Sequence, residues 1–96
     1  YEGSIAIDSD LMQKAQLHRY EKVHVLNLTN GSRLETYVIP DIPGSKSICI
    51  NGAAAHLVNP GDRVIILSYC SLDNSQATEH RPKIIRLNKH NDIVVS

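Results

Sequence analysis

The sequence has no tryptophan and no phenylalanine, and four tyrosines are its only large aromatic residues. A core must therefore be assembled from Ile, Val, Leu and Ala. Charge imbalance is missing too, since ten Lys and Arg offset ten Asp and Glu. That excludes a nucleic-acid binder built on a broad basic face, because phosphate affinity rests on Lys and Arg. It also leaves no basic tract for an anionic membrane. No apolar run approaches the ~20 residues a spanning helix requires, and no signal-peptide pattern opens the chain. Two cysteines, Cys49 and Cys70, are too few for a disulfide framework. Their apolar neighbours predict buried free thiols that behave as small hydrophobes. The expectation that remains is a soluble, cytoplasmic protein of one domain, because 96 residues make one core and not two. With no net charge to keep copies apart, it is expected to associate. A chain that opens on Tyr1 rather than Met reads as a fragment, a processed product or a trimmed precursor.

The apolar residues fall into short runs. Ser4 to Ile7 reads as the end of a strand, and Asp8 or Ser9 can cap a short helix after it. Lys22–Thr29 and Arg33–Ile39 are rich in β-branched and apolar residues and read as strands. Asn30-Gly31 between them suits a tight hairpin turn, because both residues tolerate positive φ. Residues 40–45 hold two prolines and a glycine and read as a loop. Ser47–Ile50 reads as a short buried strand, and Asn51–His56 as a turn running into one helical turn. Asn59-Pro60-Gly61-Asp62 is a β-turn. Arg63–Leu72 then reads as the longest strand, with Val64-Ile65-Ile66-Leu67 apolar enough for burial on both faces. Residues 73–81 suggest a short helix. Lys83–Leu87 and Ile93–Val95 read as strands flanking a turn. About six short strands with little helix predict a mainly β fold, a small barrel or sandwich.

Few groups are placed for chemistry. Five histidines and two cysteines offer neither an i, i+4 pair nor a CxxC pair, so no metal site is expected. Serine, histidine and aspartate are present without a GxSxG elbow. Asn51-Gly52-Ala53-Ala54 could turn backbone N–H groups toward an anion at a helix start, or be a turn with packing alanines. Arg33 and Tyr37 share one strand face at period two. Arg33 can hold a carboxylate by two parallel hydrogen bonds and Tyr37 can deliver a proton, or both belong to an ordinary exposed face. Four residues of strand span ~13 Å, so the two side chains must lean together or serve one site from different subunits. Gly3-Ser4, taken alone, is a turn-like dipeptide.

Four stretches in order carry a more specific message. They are Tyr1-Glu2-Gly3-Ser4-Ile5-Ala6-Ile7-Asp8, Thr29 to Tyr37 (TNGSRLETY), Asn51-Gly52-Ala53-Ala54-Ala55-His56, and Pro60-Gly61-Asp62-Arg63-Val64-Ile65-Ile66. Together they resemble the bacterial pyruvoyl-dependent aspartate 1-decarboxylases over nearly the whole chain. The resemblance implies a six-stranded double-psi β-barrel with short helices, assembled as a homotetramer with sites between subunits. It implies decarboxylation of L-aspartate to β-alanine for pantothenate and coenzyme A synthesis.

The resemblance also assigns roles. Self-cleavage falls at Gly3-Ser4, where the Ser4 hydroxyl attacks the preceding carbonyl to make an ester. Elimination and loss of ammonia leave a covalent pyruvoyl group at position 4. That group forms a Schiff base with the substrate amine, so neither a metal nor pyridoxal phosphate is called for. Thr36 assists processing and lines the substrate site, Arg33 binds a substrate carboxylate, and Tyr37 donates the proton. Asn51, Gly52, Ala53 and Ala54 line the pocket, and Tyr1 lies near it. The family carries a further N-terminal strand, with an active-site lysine and histidine, that these 96 residues lack. Processing would leave it as a cleaved N-terminal β chain, a partner of this one, and whether a maturation factor is a further partner stays open. Two other readings stay open: a decarboxylase for a different amino acid, and a non-catalytic barrel acting as a binding or interaction module.

Overall fold

The computed structural model describes residues 3–95. Within them five strands form one curled sheet: β1 (Ser4–Asp8), β2 (Lys22–Asn27), β3 (Arg33–Asp41), β4 (Ile48–Asn51) and β5 (Val64–Leu67), in the order β4-β1-β3-β2-β5. Helix α1 (Ser9–Ala15) follows β1, a 3-10 helix spans Gly52–Leu57, and α2 (Asn74–Ala77) lies in the C-terminal segment. The mainly β expectation holds, as a curled half-barrel of five strands rather than six among the described residues.

Strand β3 makes the curl, because it changes partners midway. Arg33–Tyr37 pair antiparallel with β2, while Val38–Asp41 pair parallel with β1. At the changeover Val38 N–H donates to the Glu21 carbonyl and Val38 C=O accepts from Tyr20 N–H. Two residues thus oppose one, and Tyr20 takes the left-handed φ of 67° typical of such a bulge. Alternation along β3 turns the Pro40 nitrogen toward this same side, beyond its last backbone bond, so the missing N–H costs nothing there. The predicted loop over 40–45 therefore starts two residues later than the prolines suggested.

The core lies on the inner face of this sheet. Ile5, Val23, Val25 and Val38 are fully buried, with Ile7, Leu11, Met12, Leu34 and Ala54 around them. Each such aliphatic side chain contributes about 1.5–3 kcal/mol of burial. Asp8 closes the end of β1. Its carboxylate accepts the N–H groups of Asp10 (2.8 Å), Gly44 (3.1 Å) and Lys46 (2.8 Å), capping α1 and anchoring the loop before β4. Burial alone would raise this carboxyl; the N–H bonds outweigh it and hold the pKa below the ordinary 3.8.

The C-terminal third departs most from expectation. Regular strand ends at Leu67, because β2 starts at Lys22 and gives a longer β5 little to pair with. The longest strand is the nine-residue β3. Nor is the apolar run buried on both faces, since Ile65 is 41% exposed. The strands expected over 83–87 and 93–95 reduce to one bridge between Leu87 and Ile93 around the predicted turn. Cys49 and Cys70 are exposed free thiols, not buried ones. The turn between β2 and β3 is a longer loop closed by Asn27 N–H to Ser32 C=O, and only Gly31 takes positive φ (80°). Among the described residues no helix is long and apolar enough to cross a membrane.

Candidate active site

Strand β1 carries Gly3-Ser4 into the middle of the sheet, where both residues are buried. Ser4 lies across from Asn51 on β4, and Asn51 Nδ2 donates to Ser4 Oγ at 3.0 Å. The Asn51 carboxamide is therefore turned sideways, and its Oδ1 accepts from Cys49 Sγ at 3.5 Å. It leaves the 3-10 helix without a side-chain cap. That helix is a six-residue 3-10 turn, too short to carry the anion site considered from sequence. Gly52 opens it at φ 73°, a conformation that favours glycine. Ala54 packs into the core, while Ala53 and Ala55 face outward.

On the other flank of β1, Ile5 is level with Val38. Continuing that parallel register backward sets Ser4 level with Tyr37 and Gly3 level with Thr36. Thr36 faces inward between Leu34 and Val38, is 6% exposed, and its hydroxyl has no hydrogen-bond partner among the described residues. A buried unpaired hydroxyl costs about 1–3 kcal/mol, and a valine would fill the same space without that cost.

Arg33, Glu35 and Tyr37 alternate onto the outer face of β3. Arg33 makes no ion pair among the described residues. With His24, Leu34 and Glu35 it lines an open cleft of about 410 Å³. The Tyr37 ring meets Tyr20 edge-on at a centroid distance of 6.3 Å. The structure thus pairs Ser4 with Asn51, sets Thr36 and Tyr37 just before the Val38 that pairs with Ile5, and leaves Arg33 ~13 Å from Tyr37 along β3. Tyr1 lies outside the described residues. No group of three His, Cys, Asp or Glu side chains comes together among the described residues.

Two residues that hold the site together escaped the sequence reading. Asn27 is buried at the end of β2, and its Nδ2 donates to the Leu57 carbonyl (3.1 Å) and to Asp62 (2.8 Å). Its Oδ1 accepts from Thr29 N–H at 2.9 Å. Asp62 also accepts from Asn59 N–H (2.8 Å), and these bonds, Asn59 first, lower its pKa against the effect of burial. Asn30 Nδ2 reaches the Leu57 carbonyl and Arg63 N–H reaches Thr29 Oγ1, each at 3.0 Å. The Thr29-Asn30-Gly31 and Pro60-Gly61-Asp62 stretches therefore grip the far end of the 3-10 helix. The period-two placement of Asn27 after Val23 and Val25 was the signal for its burial.

A buried serine held by an asparagine, with a spare buried hydroxyl, a tyrosine and an arginine on the next strand, marks a small, mainly β domain with a candidate site. The comparisons narrow this class. The family model described as aspartate decarboxylase matches residues 1–94. An aspartate 1-decarboxylase of Salinibacter ruber is 50% identical over 93 residues, covering 97% of this chain and 64% of that protein. Those of Clostridium acetobutylicum and Clostridium kluyveri are 54% and 52% identical, again over 97% of this chain and 73% of theirs. The chain belongs to the aspartate decarboxylase family, a family of carboxy-lyases. It spans somewhat less than two thirds of the Salinibacter protein and nearly three quarters of the clostridial ones. This membership does not favour a non-catalytic binding module.

Proposed function

We propose that the whole protein cleaves itself at Gly3-Ser4 and then decarboxylates L-aspartate to β-alanine and CO2, serving pantothenate and coenzyme A synthesis. The observations that carry this reading are a serine whose oxygen is already oriented by Asn51 and a buried, unpaired Thr36 hydroxyl two residues before the Val38 that pairs with Ile5. Ser4 Oγ adds to the Gly3 carbonyl carbon, the C–N bond breaks, and an ester and a free Ser4 amine result. Thr36 supplies the hydrogen bond that polarises the Gly3 carbonyl, which accounts for a hydroxyl kept at a cost in stability. Loss of the Ser4 α-proton expels the Gly3 carboxylate, and water then replaces the nitrogen as ammonia.

The residues around position 4 fit a pyruvoyl group there: small, buried, and flanked by the Asn51 amide. Such a group supplies a carbonyl that takes up an amine and accepts the electron pair as CO2 leaves. Arg33 holds a substrate carboxylate, Tyr37 delivers the proton, and Asn51, Gly52, Ala53 and Ala54 form the wall. Arg33 and Tyr37 face away from the core that holds Thr36, which supports sites completed by a neighbouring subunit and hence a homotetramer. Exposed Ile65, Tyr69 and Ile84 supply apolar surface for such contacts. The complete fold in this reading is a six-stranded double-psi barrel, closed by an N-terminal strand that remains after cleavage as the separate β chain. A maturation factor is compatible with it. Exposed, unpaired Cys49 and Cys70 fit the reducing cytoplasm.

The test is an intact mass of the denatured protein, expressed with its full natural N-terminus. The expected product begins at position 4 and is lighter by one ammonia than a chain ending in serine; Ser4→Ala gives no cleavage. A single uncleaved mass that survives heating and releases no CO2 from aspartate would sink the proposal.

A further inference from the structure

Glu35 stands between Arg33 and Tyr37 on the outward face of β3. Same-face neighbours on a strand lie ~7 Å apart, within reach of an arginine side chain. A carboxylate in that place is the nearest rival to a substrate carboxylate for the guanidinium. In the structure it is drawn the other way. Glu35 Oε1 accepts from His24 Nε2 at 2.9 Å, and Oε2 pairs with Lys22 Nζ at 3.1 Å. His24 is itself held, with Nδ1 3.1 Å from the Tyr69 hydroxyl and the two rings edge-on at 5.1 Å.

The strand register builds this arrangement. His24 lies directly opposite Glu35, whereas the residue opposite Arg33 is Leu26, which offers no charge. Both Glu35 oxygens are therefore occupied from β2, and Arg33 is left without an ion pair among the described residues. The same hydrogen bonds, from His24 and then Lys22, lower the Glu35 pKa, so the side chain stays an anion and must be placed somewhere.

We propose that Lys22 and His24, braced by Tyr69, form a clamp that withholds Glu35 from Arg33 and so keeps Arg33 open to a substrate carboxylate. They are positioning residues that act through Glu35. The inference rests on the proposed role of Arg33 in carboxylate binding. Exposed ion pairs contribute little to stability, but here they need only decide between two neighbouring partners for one carboxylate.

Two measurements on the full-length protein test the clamp. The double variant Lys22→Gln, His24→Gln releases Glu35. It should raise KM for aspartate roughly three- to tenfold with kcat within about twofold, the size of one exposed ion pair set against substrate. Adding Glu35→Gln should return KM to the wild-type value, a rescue that general damage to the sheet would not allow. The second readout needs no turnover: the rate of Arg33 modification by phenylglyoxal, followed by peptide mass mapping. It should fall in the double variant and recover in the triple. Unchanged KM and unchanged Arg33 reactivity in the double variant would overturn the clamp, as would failure of Glu35→Gln to rescue either. A wild-type protein that releases no CO2 from aspartate would instead refute the proposed function, and the phenylglyoxal series would still decide the clamp.

Discussion

The two faces of β3 differ in how complete they are. The inner face (Leu34, Thr36, Val38) is closed within the chain by β1, β2 and the core. The outer face (Arg33, Glu35, Tyr37) is open: Glu35 is tied to Lys22 and His24, Tyr37 meets Tyr20, and Arg33 has no ion pair among the described residues. Of the groups assigned to self-processing, Thr36 lies on the closed side, whereas Ser4, bonded to Asn51 on the face of the exposed Cys49, lies with the substrate groups on the open one. Period-two alternation alone produces this division, since Thr36 and Tyr37 are adjacent in sequence and point opposite ways.

Substitutions on either face can break this contrast. The largest effect is expected on the open side. Tyr37→Phe should leave the Gly3-Ser4 cleavage intact while lowering kcat by about 10²–10⁴, the usual worth of a positioned proton donor. Mass spectrometry and a CO2 assay on one sample check both halves, and a fall in cleavage would show that the faces are not separate. On the closed side, Thr36→Val should slow cleavage severalfold or more. It should also raise stability by about 1–3 kcal/mol, because a buried unpaired hydroxyl is replaced by a methyl group. Denaturant melts of the Ser4→Ala protein with and without Thr36→Val isolate that stability gain from processing. The smallest effect concerns acid. The Asp8 pKa lies below 3.8 in the folded chain, so its contribution is present above that value and is lost as pH falls through the lowered one. Asp8→Asn should therefore flatten the fall in melting temperature below about pH 4, with the outer face unaffected.

Legibility in the sequence followed the same division. Strands whose apolar residues alternate over a shared core, such as Val23, Val25 and Leu34, Val38, were recognisable from period alone. So was the common face of Arg33 and Tyr37. Pairing that depends on a partner's extent was not. Arg63–Leu72 has the composition of a long strand, yet only Val64–Leu67 pair with β2, which extends just two residues beyond that pairing. Pro40 punctuates the sequence, but its ring sits where the edge has no partner. Cys49 has apolar neighbours on both sides and still points outward, because its neighbours Ile48 and Ile50 take the core side. At the site, the motif residues were legible as a set. The Asn27–Asp62 bond was not, since it joins residues 35 apart through a turn and a loop. The Glu35 clamp was equally hidden, because it depends on the β2–β3 register.

The place of the Gly3-Ser4 peptide has a consequence for how the bond can be broken at all. Proteases take exposed, extended loop tips into their clefts. This bond instead enters a strand with partners on both edges, and both of its residues are buried. No external protease could bind around it without first unfolding the sheet. Under the proposed self-cleavage, a helper protein would reshape the peptide from outside while the cut itself came from within. On that proposal the new chain end would form in the interior, with Ser4 still paired to β4, and the severed domain would have no need to refold.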